Sequence, residues 1–241
     1  MEDINCWEEK FELCQYSDQL LNIISELNKR IKIPVNVKTI KKACYYARMY
    51  HGEQTRKSKE PYYSHPLMVA YLFASYVGKD IPQYYTTYLI VIAILHDCLE
   101  DTKFTYEMIV KIFGERVAIG VQDLTRLKHV IKTTAADTLN SLFLQCKFDI
   151  LHVKVFDRLH NLQSISFMPL EKQKKIIEET ISHFIPMTSY LNLYDITQEL
   201  VRLCKKNFPT QSPHSFEDNS ALSLLSVFPN LQNEIDRIRN R

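Results

Sequence analysis

Glycine is scarce, at four residues in 241, and apolar positions recur mostly at spacings of three and four. Scarce glycine leaves little turn chemistry, and that spacing is helical, so an all-α protein is expected. Net charge is also nearly absent, at +2. That argues against a nucleic-acid binder working through bulk charge. The six cysteines (Cys6, Cys14, Cys44, Cys98, Cys146, Cys204) never form CxxC. Reduced thiols in a cytoplasmic protein are therefore expected, rather than a disulfide frame or a zinc knuckle. No apolar run is long enough to span a membrane, and the acidic start Met1-Glu2-Asp3-Ile4-Asn5 lacks a signal-peptide pattern. Internal repeats and low-complexity tracts are missing too. What is present suits a sizeable core, with 46% hydrophobic and 24% charged residues, in one large domain or two small ones.

Apolar periodicity predicts helices over residues 7–31, 37–51, 64–77, 84–100, 105–113, 115–127, 134–147, 170–189 and 193–206. The segment Ile150–Phe156 alternates β-branched residues, yet it runs into Asp157–Leu162 without a turn signal and is read as helix. After Phe208-Pro209 the composition shifts to loop, followed by an amphipathic helix around 220–237. Expected boundaries are an N-terminal helical segment (1–36), a main domain (37–208), and a terminal loop and helix (209–241).

The stretch Leu95-His96-Asp97-Cys98-Leu99-Glu100-Asp101-Thr102 is the chemical centre of the chain. On one helix, His96 and Glu100, and likewise Asp97 and Asp101, are four apart and share a side. Such crowded carboxylates suit either a bound cation or a solvated helix end. Other candidate ligands are His65, at a helix start beside Pro66, and Asp157. Two imidazoles and two carboxylates fit a divalent ion such as manganese or iron, whereas structural zinc would favour the cysteines. Such an ion eases loss of a water proton and offsets phosphoryl charge. Glu100 and Asp101 are placed to take that proton, or are a solvated acidic end. His129, His152, His183 and His214 are read as ordinary surface or core histidines.

The basic loop Arg56-Lys57-Ser58-Lys59 precedes His65 and can meet several phosphates, or is a solvated face. Asn161 lies four residues after Asp157 and can both give and accept hydrogen bonds, as a sugar or base edge requires. Lys154, three residues before Asp157, either faces the same site or is an ordinary surface lysine.

Taken in order, these segments resemble the HD-type hydrolase domain of the RelA/SpoT homologue family. The opening motif is His51-Gly52-x-Gln54-x-Arg56-Lys57-Ser58-x-Glu60-Pro61-Tyr62-x-x-His65-Pro66. His96-Asp97-x-x-Glu100-Asp101-Thr102 follows, then Phe113-Gly114, Leu124-Thr125-Arg126-Leu127, and Lys154-x-x-Asp157-Arg158-Leu159-His160-Asn161-Leu162. The likeness covers roughly residues 38–208. It implies a helical bundle of about ten helices. It also implies manganese-dependent removal of the 3′-pyrophosphate from guanosine tetra- or pentaphosphate. The implied metal ligands are His65, His96, Asp97 and Asp157, and the implied water-activating pair is Glu100 and Asp101. Implied substrate contacts are Arg56, Lys57, Ser58, Lys154, Asn161 and Ser164; chemistry alone does not single out Ser164.

Departures from the family pattern are Lys59 for a usual glycine, Arg126 for lysine, Ser164 for threonine, and a poor match over 131–147. No synthetase site follows, so a hydrolase-only or truncated member is expected. Two rival readings keep the pattern. One is a phosphatase acting on another nucleotide such as NADPH, and the other is an inactive nucleotide- or partner-binding paralogue. Neither nucleic acid nor a membrane is expected as partner, and the sequence leaves the oligomeric state open.

Overall fold

The computed structural model describes residues 6–125 and 134–208. The predicted helix at 220–237 and part of the segment 115–127 lie outside them. Among the described residues there is no β-strand; Thr55 and Pro61 form an isolated antiparallel bridge. The all-α expectation holds. The chain packs as two units, divided between Asp157 and Arg158.

The first unit opens with α1 (Trp7–Lys10) and α2 (Gln15–Asn28). The predicted helix over 7–31 is therefore two helices. Phe11 leaves α1 in extended conformation, and Cys14 is extended where it caps α2. The Ser17 hydroxyl accepts from the Cys14 N–H at 2.9 Å, so the chain restarts as a helix with its first donors satisfied. Beyond α2, Asn28 clamps Val35 through both backbone groups, at 2.9 and 3.0 Å. Asn36 then caps α3 (Val37–His51) by accepting from Thr39 N–H.

Helix α4 (Ser64–Asp80) carries Pro66 in its first turn, where a missing N–H costs nothing. Helix α5 (Thr87–Leu95) is the centre of the core, with every residue from Leu89 to Leu95 fully buried. It packs against α3, α4 and α8 (Glu115–Leu124), which explains why it has no polar face. Gly120 of α8 permits the close approach: a Cβ there would meet Ile92 Cδ1 at 2.3 Å.

The predicted continuous helix over 84–100 is interrupted. A 3₁₀ turn at Pro82–Tyr84 precedes α5, and a one-turn helix α6 (Cys98–Asp101) follows it. Asp97, at φ −94° and ψ −7°, flattens the backbone between them. Helices α7 (Tyr106–Phe113), α9 (Ala135–Leu144) and α10 (Phe148–Gln163) follow the predicted segments closely. Helix α10 confirms the helical reading of Ile150–Phe156.

The second unit holds the end of α10, then α11 (Leu170–Glu179), a π-helical turn at Thr180–Phe184, α12 (Ile185–Tyr190) and α13 (Tyr194–Asn207). No helix of the described residues is long and apolar enough to cross a membrane.

Candidate metal centre

Three elements of the first unit bring four predicted ligands together. The first turn of α4 supplies His65, the α5–α6 break supplies His96 and Asp97, and the middle of α10 supplies Asp157. His65 Nε2 lies 3.2 Å from Asp157 Oδ1 and 3.6 Å from Asp97 Oδ2. His96 Nε2 lies 3.2 Å from Asp97 Oδ1 and 3.7 Å from Asp157 Oδ1. One ligand atom from each of His65, His96 and Asp157 falls within 4.8 Å of the others.

The donor set fits a divalent cation. His96 Nδ1 stands 2.8 Å from the Ala93 carbonyl, an acceptor that requires the hydrogen to sit on Nδ1. That leaves the Nε2 lone pair facing the carboxylates, and this buried nitrogen makes no hydrogen bond. A backbone carbonyl holding the far nitrogen is the usual support of a metal-binding imidazole.

The same carboxylates that would hold a cation also favour a proton on the His96 ring. Burial works against ionisation of Asp157, but Lys154, His65 and His96 hold its carboxyl well below the usual range. Asp97 is likewise lowered by His96 and His65 against its burial. Burial lowers His65. Burial also opposes charge on His96, yet Asp97 and Asp157 outweigh it and raise that imidazole to about 9.

The other predicted residues fall at different places. Lys154 is buried rather than an ordinary surface lysine, and its ammonium sits 2.9 Å from Asp157 Oδ2. Asp101 and Glu100 are half-buried on α6. The basic loop is a tight hairpin: Arg56 N–H donates to Glu60 O, and Lys59 N–H donates back to Arg56 O. Arg56 is half-buried; burial lowers its pKa, while Tyr62, Asp97, Glu60 and Asp157 oppose that. Lys57 is exposed, and the Ser58 hydroxyl donates to Glu60. Asn161 and Ser164 belong to the second unit, where the Ser164 hydroxyl turns back to the carbonyls of His160 and Asn161.

Tyr62 is a site residue that the chemical reading missed. Its hydroxyl lies 2.8 Å from Asp101 Oδ2 and 3.2 Å from Asp97 Oδ2, joining the ligand to the predicted water-activating carboxylate. His51 stacks on the Tyr62 ring, and Gln54 ties His51 to the Asp101 carbonyl. The available signal was position: Tyr62 lies three residues before His65, in the loop leading to it.

A family model described as HD domain matches residues 43–192. The chain belongs to the HD-domain family. Among its relatives, the "GTP pyrophosphokinase rsh" of Brucella ovis is 35% identical over 181 residues, covering 73% of this chain and 23% of the relative. The "Guanosine-3′,5′-bis(diphosphate) 3′-pyrophosphohydrolase" of Aquifex aeolicus is 38% identical over 170 residues, covering 69% and 23%. These place this HD domain among the RelA/SpoT homologues. It spans about a quarter of the length of the curated relatives it matches. A solved structure described as "a metazoan ortholog of SpoT" that hydrolyses ppGpp aligns with TM-score 0.50 at 18% identity, covering 83% of this chain and 93% of that one. That likeness concerns the fold.

Proposed function

We propose that this HD domain hydrolyses the 3′-pyrophosphate of guanosine tetra- or pentaphosphate, releasing pyrophosphate and GDP or GTP, with manganese as cofactor. The observation that carries the reading is the cluster of two buried imidazoles with the carboxylates of Asp97 and Asp157, with His96 Nε2 lacking a hydrogen bond, beside a third carboxylate, Asp101, bonded by Tyr62. The Aquifex relative, named for this reaction, supports the substrate.

His65, His96, Asp97 and Asp157 would hold the ion. When bound, manganese supplies Lewis acidity, offsetting phosphoryl charge and easing loss of a water proton. The protein's own residues do the rest. Arg56 and Lys57 hold phosphates, and Ser58 and Lys154 complete the substrate contacts of the first unit. Asp101 and Glu100 orient the attacking water and take its proton. The water oxygen bonds to the phosphorus attached to O3′. The P–O3′ bond breaks, and O3′ leaves with a proton.

The test is incubation with guanosine tetraphosphate, with manganese and then with a chelator, while following pyrophosphate and GDP. Release with manganese and none with the chelator is the expected result. A manganese-loaded protein that releases nothing would end this reading.

Tyr62→Phe probes the carboxylate link. The phenol holds Asp101 in place with a charge-assisted hydrogen bond, an interaction worth about 1.5–3 kcal/mol. Turnover should fall about tenfold or more, with manganese content unchanged. Unaltered kcat would show that Asp101 needs no such positioning.

A further inference from the structure

His51 is a buried histidine, 1% exposed, to which the reaction above assigns no role. It ends α3, and Gly52 at φ +50° turns the chain back so that Gln54 N–H donates to the His51 carbonyl at 3.0 Å. The same turn brings the Gln54 side chain onto the imidazole, with Oε1 2.9 Å from Nδ1. Gln54 Nε2 donates to the Asp101 carbonyl at 2.8 Å, which leaves Oε1 as the acceptor at the ring. The imidazole hydrogen therefore sits on Nδ1. Burial lowers the pKa of His51 and keeps the ring neutral, so Nε2 carries a lone pair. That lone pair faces the Cys98 sulfur at 3.8 Å. Burial pushes the Cys98 thiol up, so it keeps its hydrogen and can donate.

These contacts converge on α6, which Cys98 begins and Asp101 ends. A further contact of His51 leads to the same turn. The Tyr62 ring stacks on His51 with centroids 4.7 Å apart, and its hydroxyl bonds the Asp101 carboxylate at 2.8 Å. Tyr62 N–H also donates to the Gln54 carbonyl at 2.7 Å, which holds ring and amide in one frame. A single helical turn does not sustain itself, because nucleation costs more than one turn of hydrogen bonds returns. The direction of α6 thus depends on what it packs against, and it packs on α3.

We propose that His51 is a positioning residue for the hydrolysis proposed above, a role that rests on that reading. It holds α6 through Cys98, Gln54 and Tyr62, and so fixes where Glu100 and Asp101 meet the attacking water.

The test uses the full chain. His51→Phe keeps a ring against Tyr62 and removes both nitrogens. Gln54 is exposed, so Gln54→Met cuts the amide route without touching the core and decides the matter where His51→Phe does not fold. Hydrogen exchange of the α6 amides is read without metal, beside that of α5. Both variants should speed exchange in α6 several-fold and leave α5 as it is, which a general loosening of the fold would not do. Turnover of guanosine tetraphosphate with manganese should fall about tenfold in His51→Phe and about threefold in Gln54→Met, the range of a lost neutral hydrogen bond. KM and manganese content should stay at the parent's values, since neither residue is assigned to substrate or ion. Unchanged α6 exchange in Gln54→Met overturns the proposal, and so does faster exchange with unchanged kcat. A parent that releases no pyrophosphate ends the hydrolase reading alone, and α6 exchange then still decides whether His51 holds this turn.

Discussion

Asp157→Asn should leave the protein without retained manganese and lower phosphohydrolase turnover by about a thousandfold or more, roughly 4 kcal/mol of transition-state stabilisation. The structure separates two roles of this one carboxylate. Oδ1 faces His65 and His96, at 3.2 and 3.7 Å, and belongs to the centre. Oδ2 takes the ammonium of Lys154 at 2.9 Å, in a place where both side chains are under a tenth exposed. Replacing the carboxylate by an amide therefore removes a proposed ligand and also leaves a buried ammonium without its counter-charge. The second loss costs about 3–5 kcal/mol of stability. Lys154→Met combined with Asp157→Asn distinguishes them. The double variant should recover most of the stability while still failing to hold manganese. Melting temperature and metal content of the three proteins form the measurement. Near-normal manganese in Asp157→Asn would remove Asp157 from the ligand set.

Three of the four proposed ligands, His65, His96 and Asp97, were legible because each lies where a helix begins or breaks, whereas Asp157 sits in the middle of α10. His65 precedes a proline, which marks a first turn, and His96-Asp97 ends an apolar run. Helix α3 ran over the predicted residues because Asn36 caps it and Gly52 closes it, both visible in sequence. The break after Leu95 was not legible. His96 and Asp97 have right-handed helical dihedrals, and the Asp97 carbonyl still accepts from Asp101 N–H at 3.0 Å. The interruption is a small flattening at Asp97, which periodicity does not register. The four-residue spacing nevertheless retained its meaning, since Tyr62 bonds Asp97 and Asp101 together. Lys154 was ambiguous for another reason. Burial of a lysine depends on what surrounds its helix, and spacing along α10 carries no information about that.

The helix predicted over 170–189 runs unbroken through those residues, but it widens beside a residue that could have warned of it. Pro186 lacks the N–H that would bond to Ser182, and its ring crowds that carbonyl. The helix widens just before it, into the π-helical turn at Thr180–Phe184. Arg158 holds this turn. It is 5% exposed, and the residue reading gave it no role.

Arg158→Ala should cost about 3–5 kcal/mol, the usual penalty for breaking a buried ion pair from one side. The guanidinium bonds the carboxylate of Glu179 with one nitrogen. The other donates to the Ile176 carbonyl at 3.3 Å and approaches the Thr180 hydroxyl at 3.5 Å. Its central carbon Cζ lies over the Phe184 ring, 4.2 Å from the ring centre. One side chain therefore ties the last turn of α11 to both ends of the π-helical turn. Alanine would leave Glu179, whose side chain is 16% exposed, with no cation at this contact. The melting temperature should fall by about 10 °C. Lysine should recover less than half of the loss. A single ammonium cannot serve a carboxylate, a carbonyl and an aromatic face in a fixed fork. Glu179→Gln should cost less than Arg158→Ala, because the amide still accepts from the guanidinium and the ring contact survives. Should Arg158→Ala unfold within 1 kcal/mol of the parent, the widened turn is held by Pro186 and apolar packing alone, and Arg158 is incidental to it.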